Sequence, residues 1–236
     1  MNGISIIIPT LNERKHLPEA LENLSQQDPP ADEILVVDGG SNDGTQEIAE
    51  KRAILLVCNQ QSISAQMNLG ASKASGDFLV FLHADCTLER NAFSDLLRCM
   101  REKEVVGGAF QLELCGNRPL LDRYLSWSGS WNARRSQVYL GDHGIFCKRS
   151  IFLEIGGFPD VTLMYEFELM RKLRSRGKLV QLNKKCFASA RRFQRHGYWK
   201  TMLLMRFLRT FYRLGLPIDR LEQMYREQPA QREYNV

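Results

Sequence analysis

Apolar residues in this chain come in short, nearly unbroken runs, and the stretches between them carry the 3.6-residue rhythm of amphipathic helices. The runs ISIIIP (4–9), EILVVD (33–38), AILLVC (53–58) and DFLVFL (77–82) are dense in Val, Ile, Leu and Phe. Such runs predict strands covered on both faces, as parallel strands are. Helices are predicted between them at about 15–26, 45–51 and 64–74. Strand and helix alternating at this spacing specify an α/β fold with a doubly wound, mostly parallel sheet and a C-terminal helical tail. Beyond Glu104 the pattern changes. VVGGAFQLEL predicts a longer strand, residues 120–131 form an aromatic segment, and GDHGIFCKRS (141–150) returns to strand. A helix from about 165 to 176 is ended by Gly177, and a last long helix over 198–214 is stopped by Gly215 and Pro217.

The length of 236 residues suits one domain, with 44% hydrophobic and 25% charged residues, ordinary for a chain that buries a core. Six cysteines show no C-x-x-C pairing and are read as reduced, mostly buried thiols. The N-terminus MNGISIIIPT carries no basic n-region, and no stretch approaches the roughly 18 apolar residues of a membrane span. The expectation is a cytoplasmic protein, peripheral on the inner face of the plasma membrane. Charge sharpens that picture. Residues 1–170 hold 15 Lys/Arg against 23 Asp/Glu, whereas residues 171–218 hold 14 Lys/Arg and no acid. A basic run of that size predicts an anionic neighbour: phosphate, nucleic acid or an anionic membrane surface.

Ligands of an open α/β sheet bind beyond the carboxyl ends of its strands. Here those ends read PTLNE, DGGSNDGT and HADC, all polar or acidic. Asp38 can accept hydrogen bonds from a base or sugar edge, as acids do in nucleotide-binding α/β folds. Asp85 can hold a hard divalent cation through oxygen. Asp and Gly also dominate plain turns, but three such loops after three strands favour a site.

These segments resemble the inverting glycosyltransferases of family 2, which have the GT-A fold. The matching motifs are PTLNE, VVDGGSNDGT, QMNLGA, SGDFLVFLHADC, GGF and EFELMRKLRSRG, spread over nearly the whole chain. Segments like GDHGIF and SARRF, with an LG-P…LEQMY ending, are similar to a small bacterial subgroup linked to arsenosugar biosynthesis. The resemblance implies a nucleotide-diphosphate sugar donor, with a UDP-sugar expected, and a Mg²⁺ or Mn²⁺ cofactor. It places Pro9, Thr10, Asn12 and Glu13 around the nucleotide. Asp38 then faces the uracil, with Gly39, Asp43 and Gly44 completing that pocket, and Asn68 and Gly70 lie under the ribose and diphosphate. Asp85 holds the metal. His83 and Ala84 fill the first two places of the usual D-x-D, so the ribose contact of the first Asp is missing. An arginine often found before QMN is absent, which removes a guanidinium–phosphate contact there.

Inversion needs a base on the acceptor side of the sugar. The resemblance assigns that role to Glu166, with Tyr165 in place of the first acid of the usual E-D pair. A glutamate in a first helical turn can also serve only the helix dipole. Glu168 reads as structural, with Arg171 and Lys172 at i+3 and i+4. Asp142 and His143 are candidates for the acceptor hydroxyl or the diphosphate. In the tail, Arg195, Arg206, Arg209 and Arg213 share one stripe beside Trp199, Leu203, Phe207, Phe211 and Leu214. Arg191 and Arg192 are candidates for the donor phosphates or an anionic, lipid-like acceptor. The processive Q-x-x-R-W signature is absent, so transfer of one sugar to a hydroxyl or carboxyl is expected.

On this reading residues 1–236 are one glycosyltransferase domain. About 1–110 form the nucleotide-sugar half, 111–190 the acceptor half and 191–236 a basic amphipathic tail. A sugar-1-phosphate nucleotidyltransferase would open with a glycine-rich basic loop, and PTLNERKH has no glycine. A non-catalytic nucleotide-sugar-binding protein remains open, since fold does not guarantee activity. Nucleic acid is disfavoured as a partner, because the basic run enters a Phe- and Leu-rich helix with no nucleic-acid module.

Overall fold

The computed structural model describes residues 3–226 apart from 61 and 162, so the last ten residues of the expected tail lie outside the described ones. In chain order the elements begin with β1 (Ile4–Thr10), α1 (Leu17–Ser25), β2 (Glu33–Asp38), α2 (Thr45–Glu50), β3 (Ile54–Val57), α3 (Ile63–Lys73) and β4 (Phe78–Phe81). This half follows the expected alternation closely. It continues with β5 (Cys86–Leu88), α4 (Ala92–Met100), β6 (Val105–Cys115), α5 (Pro119–Ser136), a 3-10 turn at Gly141–His143, β7 (Ile145–Lys148) and α6 (Arg149–Glu154). The chain then forms α7 (Tyr165–Arg174), β8 (Lys178–Ser189), α8 (Arg191–His196), α9 (Tyr198–Arg213) and α10 (Ile218–Arg226).

The strands form one sheet in the order β3-β2-β1-β4-β7-β6-β8-β5. Parallel pairing joins β1 to β2 and β4, β2 to β3, and β6 to β8, while β7 runs antiparallel to both β4 and β6. The sheet is therefore mixed at its centre. Side chains alternate across it. Ile6, Ile8, Val36 and Val80 point into one core with α1 and α4, and Ile7, Val37, Leu79 and Phe81 into another with α3 and α6. Burying each such side chain contributes about 1.5–3 kcal/mol.

Two expectations change. The 53–58 run is an edge strand, with Ile54 48% and Val57 57% exposed, because no described strand pairs beyond it. Within 141–150 only Ile145–Lys148 is strand. The left-handed Gly144 (φ 63°) ends the 3-10 turn just before it, and α6 follows it directly. The tail is packed on the domain along part of its length. Leu208 of α9 and Leu221 of α10 share a small core with Met164 and Phe167, and the Tyr212 ring meets Phe167 edge-on at 5.3 Å.

Pairing register places the site. Winding reverses between β1 and β4, which opens a crevice at their carboxyl ends. Because β7 is antiparallel to β4 with Ile145 opposite Phe81, residues just before Ile145 lie beside those just after Phe81. Likewise β5 is antiparallel to β8 with Cys86 opposite Ala188, which brings Ser189 and Arg191 beside Asp85. Four segments distant in sequence thus meet on one rim.

Candidate active site

The loops after β1 and β2 are laced together by their own polar groups. Asn12 N donates to Ser41 Oγ (2.8 Å), Glu13 N to Thr45 Oγ1 (2.9 Å), and Arg14 N to Asp43 Oδ2 (3.1 Å). Asn12 and Gly44 take left-handed φ of 56° and 95°, which lets both backbones turn along the crevice. Asp38 is fully buried. Its Oδ1 accepts from Gly40 N, Ser41 N and Gln46 Nε2, and its Oδ2 from Thr10 Oγ1 and Ser41 Oγ. Burial alone would raise its pKa, but these hydrogen bonds hold it below the ordinary carboxylate value. Both oxygens of Asp38 are thus engaged by donors from the end of β1, its own loop and α2, and it sets the loop's shape. Pro9 and Thr10 are buried at the strand's end beneath that loop, and Gly39 is held against Gln66, whose Nε2 would lie 2.4 Å from any added Cβ.

Asn68 and Gly70 of α3 are both tied into the fold. Asn68 donates from Nδ2 to the Phe158 carbonyl (2.9 Å) and accepts at Oδ1 from Phe158 N (3.0 Å), so its amide clamps the GGF loop to α3. A Cβ on Gly70 would sit 2.5 Å from Ile7 Cγ2 and 3.0 Å from Val37 Cγ2, which makes it a packing position of α3 on the sheet. Asn68→Ala should leave two polar groups of the buried Phe158 unpaired and lower stability on the order of 2 kcal/mol, read as a drop of several degrees in Tm. An unchanged Tm would mean that the loop holds itself.

The rim between β1 and β4 carries an ionic cluster. Glu13 takes Arg191 in a fork, at 2.5 Å (Oε1–Nη2) and 3.0 Å (Oε2–Nη1), and Arg191 Nε lies 3.0 Å from Asp85 Oδ2. His16 Nδ1 stands 2.9 Å from Glu13 and 3.1 Å from Arg191. One arginine from the start of α8 thus bridges the nucleotide-loop acid and the expected metal ligand. No three His, Cys, Asp or Glu side chains gather as a cation cage among the described residues. A single strand-end carboxylate still fits Mg²⁺ or Mn²⁺, whose remaining positions are commonly filled by substrate phosphate and water. Arg192 lies elsewhere: its guanidinium stacks on the Tyr225 ring at 5.8 Å and bonds its hydroxyl.

On the other side of the crevice, His83 packs so closely on Gly141 that an added Cβ would come within 2.0 Å of its Nε2. The same Gly141 donates its N–H to Glu166 Oε1 at 3.4 Å. Glu166 keeps a partly exposed surface, but protein encloses its carboxyl. That burial pushes its pKa up, and the nearby Asp142 adds to the rise against the opposing pull of His83 and Gly141. The Tyr165 hydroxyl, itself buried, hydrogen-bonds the same carboxyl. Its phenol is held edge-on to Phe158 at 5.7 Å. Asp142 Oδ1 and His143 Nδ1 are buried without a hydrogen-bond partner among the described residues. Burial keeps His143 below its ordinary pKa, so the neutral ring is favoured. With 2% exposure it backs the turn, and the half-exposed Asp142 is the member of the pair at the surface. Glu168 bonds Arg171 (2.7 Å) and Tyr212, the structural role expected.

One residue at this end escaped the sequence reading. Arg209 of α9 is sunk toward the rim, where its burial lowers its pKa while the charges of Asp142 and Glu166 oppose the drop. Its spacing in the arginine stripe was visible; the side that the stripe faces depends on how α9 docks.

Residues 5–173 match glycosyl transferase family 2. Among curated relatives, glycosyltransferase AglE of Haloferax volcanii is 39% identical over 170 residues, covering 66% of this chain. The chain spans 56% of that relative's length. Staphylococcus aureus TarS 1–349 in complex with UDP-GlcNAc superposes with a TM-score of 0.62 at 20% identity, over 79% of this chain and 58% of that one. Mannosyltransferase PcManGT of Pyrobaculum calidifontis, in complex with GDP-Man and Mn²⁺, gives 0.63 at 22%, over 78% and 56%. At such identities the two structures establish the fold, which is of the GT-A type. With the family's segment covering well over half of its length, this chain belongs to glycosyl transferase family 2.

Proposed function

We propose that the protein transfers one sugar, with inversion, from a nucleotide-diphosphate sugar to an acceptor hydroxyl. The observation that carries this reading is a short chain of contacts: His83, two residues before Asp85, packs on Gly141, and Gly141 N donates to Glu166 Oε1. The laced loops after β1 and β2 receive the nucleoside, with their backbone and the side chains of Asn12, Glu13 and Asp38 as the candidate contacts. A UDP-sugar is the donor we favour, in keeping with the UDP-GlcNAc held by the TarS structure. The subgroup linked to arsenosugar biosynthesis rests on the GDHGIF and SARRF segments alone.

Asp85 would hold Mg²⁺ or Mn²⁺ together with the donor's phosphate oxygens, and the ion when bound offsets the charge of the departing diphosphate. Arg191, already in contact with both acids of that edge, lies within reach of the same phosphates and supplies positive charge there. Glu166 removes the acceptor's proton as the nucleophile attacks the sugar carbon from the face opposite the leaving group. A carboxyl acceptor would arrive ionised at neutral pH and need no base, so an enclosed Glu166 favours a hydroxyl.

A base works only when ionised. The ordinary glutamate value is 4.5, and burial raises that of Glu166. Transfer should therefore fall as pH drops through a midpoint above the usual carboxylate range, and be full above it. The test is nucleoside-diphosphate release from UDP-sugars, with and without acceptor alcohols, followed across pH. Release that is flat down to pH 4.5 would remove Glu166 as the base. Absence of any release, with no UDP binding by calorimetry in Mn²⁺, would overturn the activity itself.

A further inference from the structure

Helix α5 is built inside out. Its inward face is largely small and polar, with Asp122, Ser126 and Ser130 buried at 3–4% exposure beside Leu125 and Ala133. Ser130 Oγ accepts from Leu112 N (3.0 Å) and Ser126 Oγ from Leu114 N (2.7 Å), so the serines dock the helix on β6. The Tyr198 hydroxyl donates to Asp122 Oδ1 at 2.7 Å, which fastens the start of α9 beside the start of α5. The outward face carries the large apolar side chains. Leu120 (86% exposed), Tyr124 (54%), Trp127 (62%) and Trp131 (51%) recur at i, i+4, i+7 and i+11, one continuous stripe. Arg123, Arg134 and Arg135 are also exposed on α5, and Arg135 lies over the Trp131 ring at 5.5 Å. No acid of α5 faces solvent, since Asp122 is its only one.

Helix α9 repeats this chemistry from the adjoining start. Trp199, Leu203 and Phe207 are 62%, 62% and 41% exposed at i, i+4 and i+8, with Lys200, Arg206 and Arg213 exposed among them and no acid in the helix. A soluble helix normally turns its apolar stripe inward. Here two helices fastened together at their starts turn aromatic rings and arginines to the outside. Tryptophan and tyrosine with flanking arginines suit the boundary between headgroups and acyl chains. Exposed arginines unaccompanied by acid select an anionic surface. A protein partner of matching charge would be met by the arginines equally well. It would not require the run of indole and phenol rings along a whole helix, which an interfacial helix uses to sink into lipid.

We propose that α5, with the outward stripe of α9, docks the protein on an anionic lipid bilayer. The surface extends well beyond the basic tail and rests chiefly on a helix of the domain itself.

The test is co-sedimentation of the full chain with phosphatidylcholine vesicles and with vesicles containing 30% phosphatidylglycerol, about a third anionic lipid. Binding to the anionic vesicles is expected, weakened by salt, with a blue shift in tryptophan emission. Trp127→Ser with Trp131→Ser should lower the partition coefficient about tenfold or more, whereas Leu153→Ser, an equally exposed apolar loss on α6, should leave it unchanged. Because both tryptophans point outward, the Tm of the double variant should match that of the parent. Equal partitioning of the double variant and the parent would overturn the proposal. So would a dimer in sedimentation velocity that the double variant abolishes while vesicles go unbound, because the stripe would then cover a second copy of the chain. Nucleoside-diphosphate release from a soluble donor is read separately, so failure to bind lipid and failure to transfer sugar are distinguishable.

Discussion

Glu166→Gln should bind donor normally and lose transfer by about two to four orders of magnitude, the usual contribution of a positioned base. Glutamine keeps the volume and can still accept at Oε1 from Gly141 N, which donates at 3.4 Å in the parent. The turn that carries Asp142 should therefore stay in place, and a loss in kcat cannot be assigned to collapse of the rim. The buried Tyr165 hydroxyl loses a carboxylate partner but retains an amide one. Donor affinity measured by calorimetry should match the parent within about twofold, and the acidic limb of the pH profile should vanish. Transfer within about threefold of the parent would show that another group accepts the proton, and Asp142, whose Oδ1 has no hydrogen-bond partner among the described residues, would be the next to test.

Asp85→Asn should abolish the cation-dependent part of UDP binding. It should reduce kcat/KM about a hundredfold or more, because a metal at a departing diphosphate supplies several kcal/mol of charge stabilisation. The fold should survive, since Arg191 keeps its forked pair with Glu13 when the contact to Asp85 is weakened. Calorimetric titration of UDP with and without Mn²⁺ decides the matter. The parent should bind more tightly with the ion present, and the variant should bind equally in both conditions. A variant that keeps the full Mn²⁺ effect would show that the ion is held elsewhere.

The chain up to about Glu104 was legible because most of its strands are covered on both faces and need continuous apolar runs. Boundaries for β1, β2 and β4 accordingly fall within a residue or two of expectation. Beyond Glu104 the same rule misleads. Helix α5 hides serines beside Leu125 and Ala133 and exposes its aromatics, so a reading that assigns its largest apolar residues to the core picks the wrong face. β8 is interrupted by Asn183, Lys184 and Lys185, and the lysines reach outward to Glu89 and Glu113, so its period breaks. At the site, residue types were readable and their occupation was not. Asp38 and Asn68 carry the polar groups a ligand would use, yet in the structure Asp38 bonds chiefly its own loop and Asn68 bonds the backbone of the distant GGF loop. Arg191 and Arg209 come from the tail, and their approach to Asp85 and Glu166 is a product of strand register and helix docking that no local pattern encodes.

The antiparallel strand β7, set between β4 and β6, stitches both ends of the crevice into one hydrogen-bonded plane. Two lobes hinged at a flexible joint could clamp a substrate by swinging together, but a shared plane denies the molecule that movement without breaking its central ladder. Entry and exit of the two substrates therefore fall to what lies above the plane: the loops after β1 and β2, and the arginine-bearing helices laid over the rim.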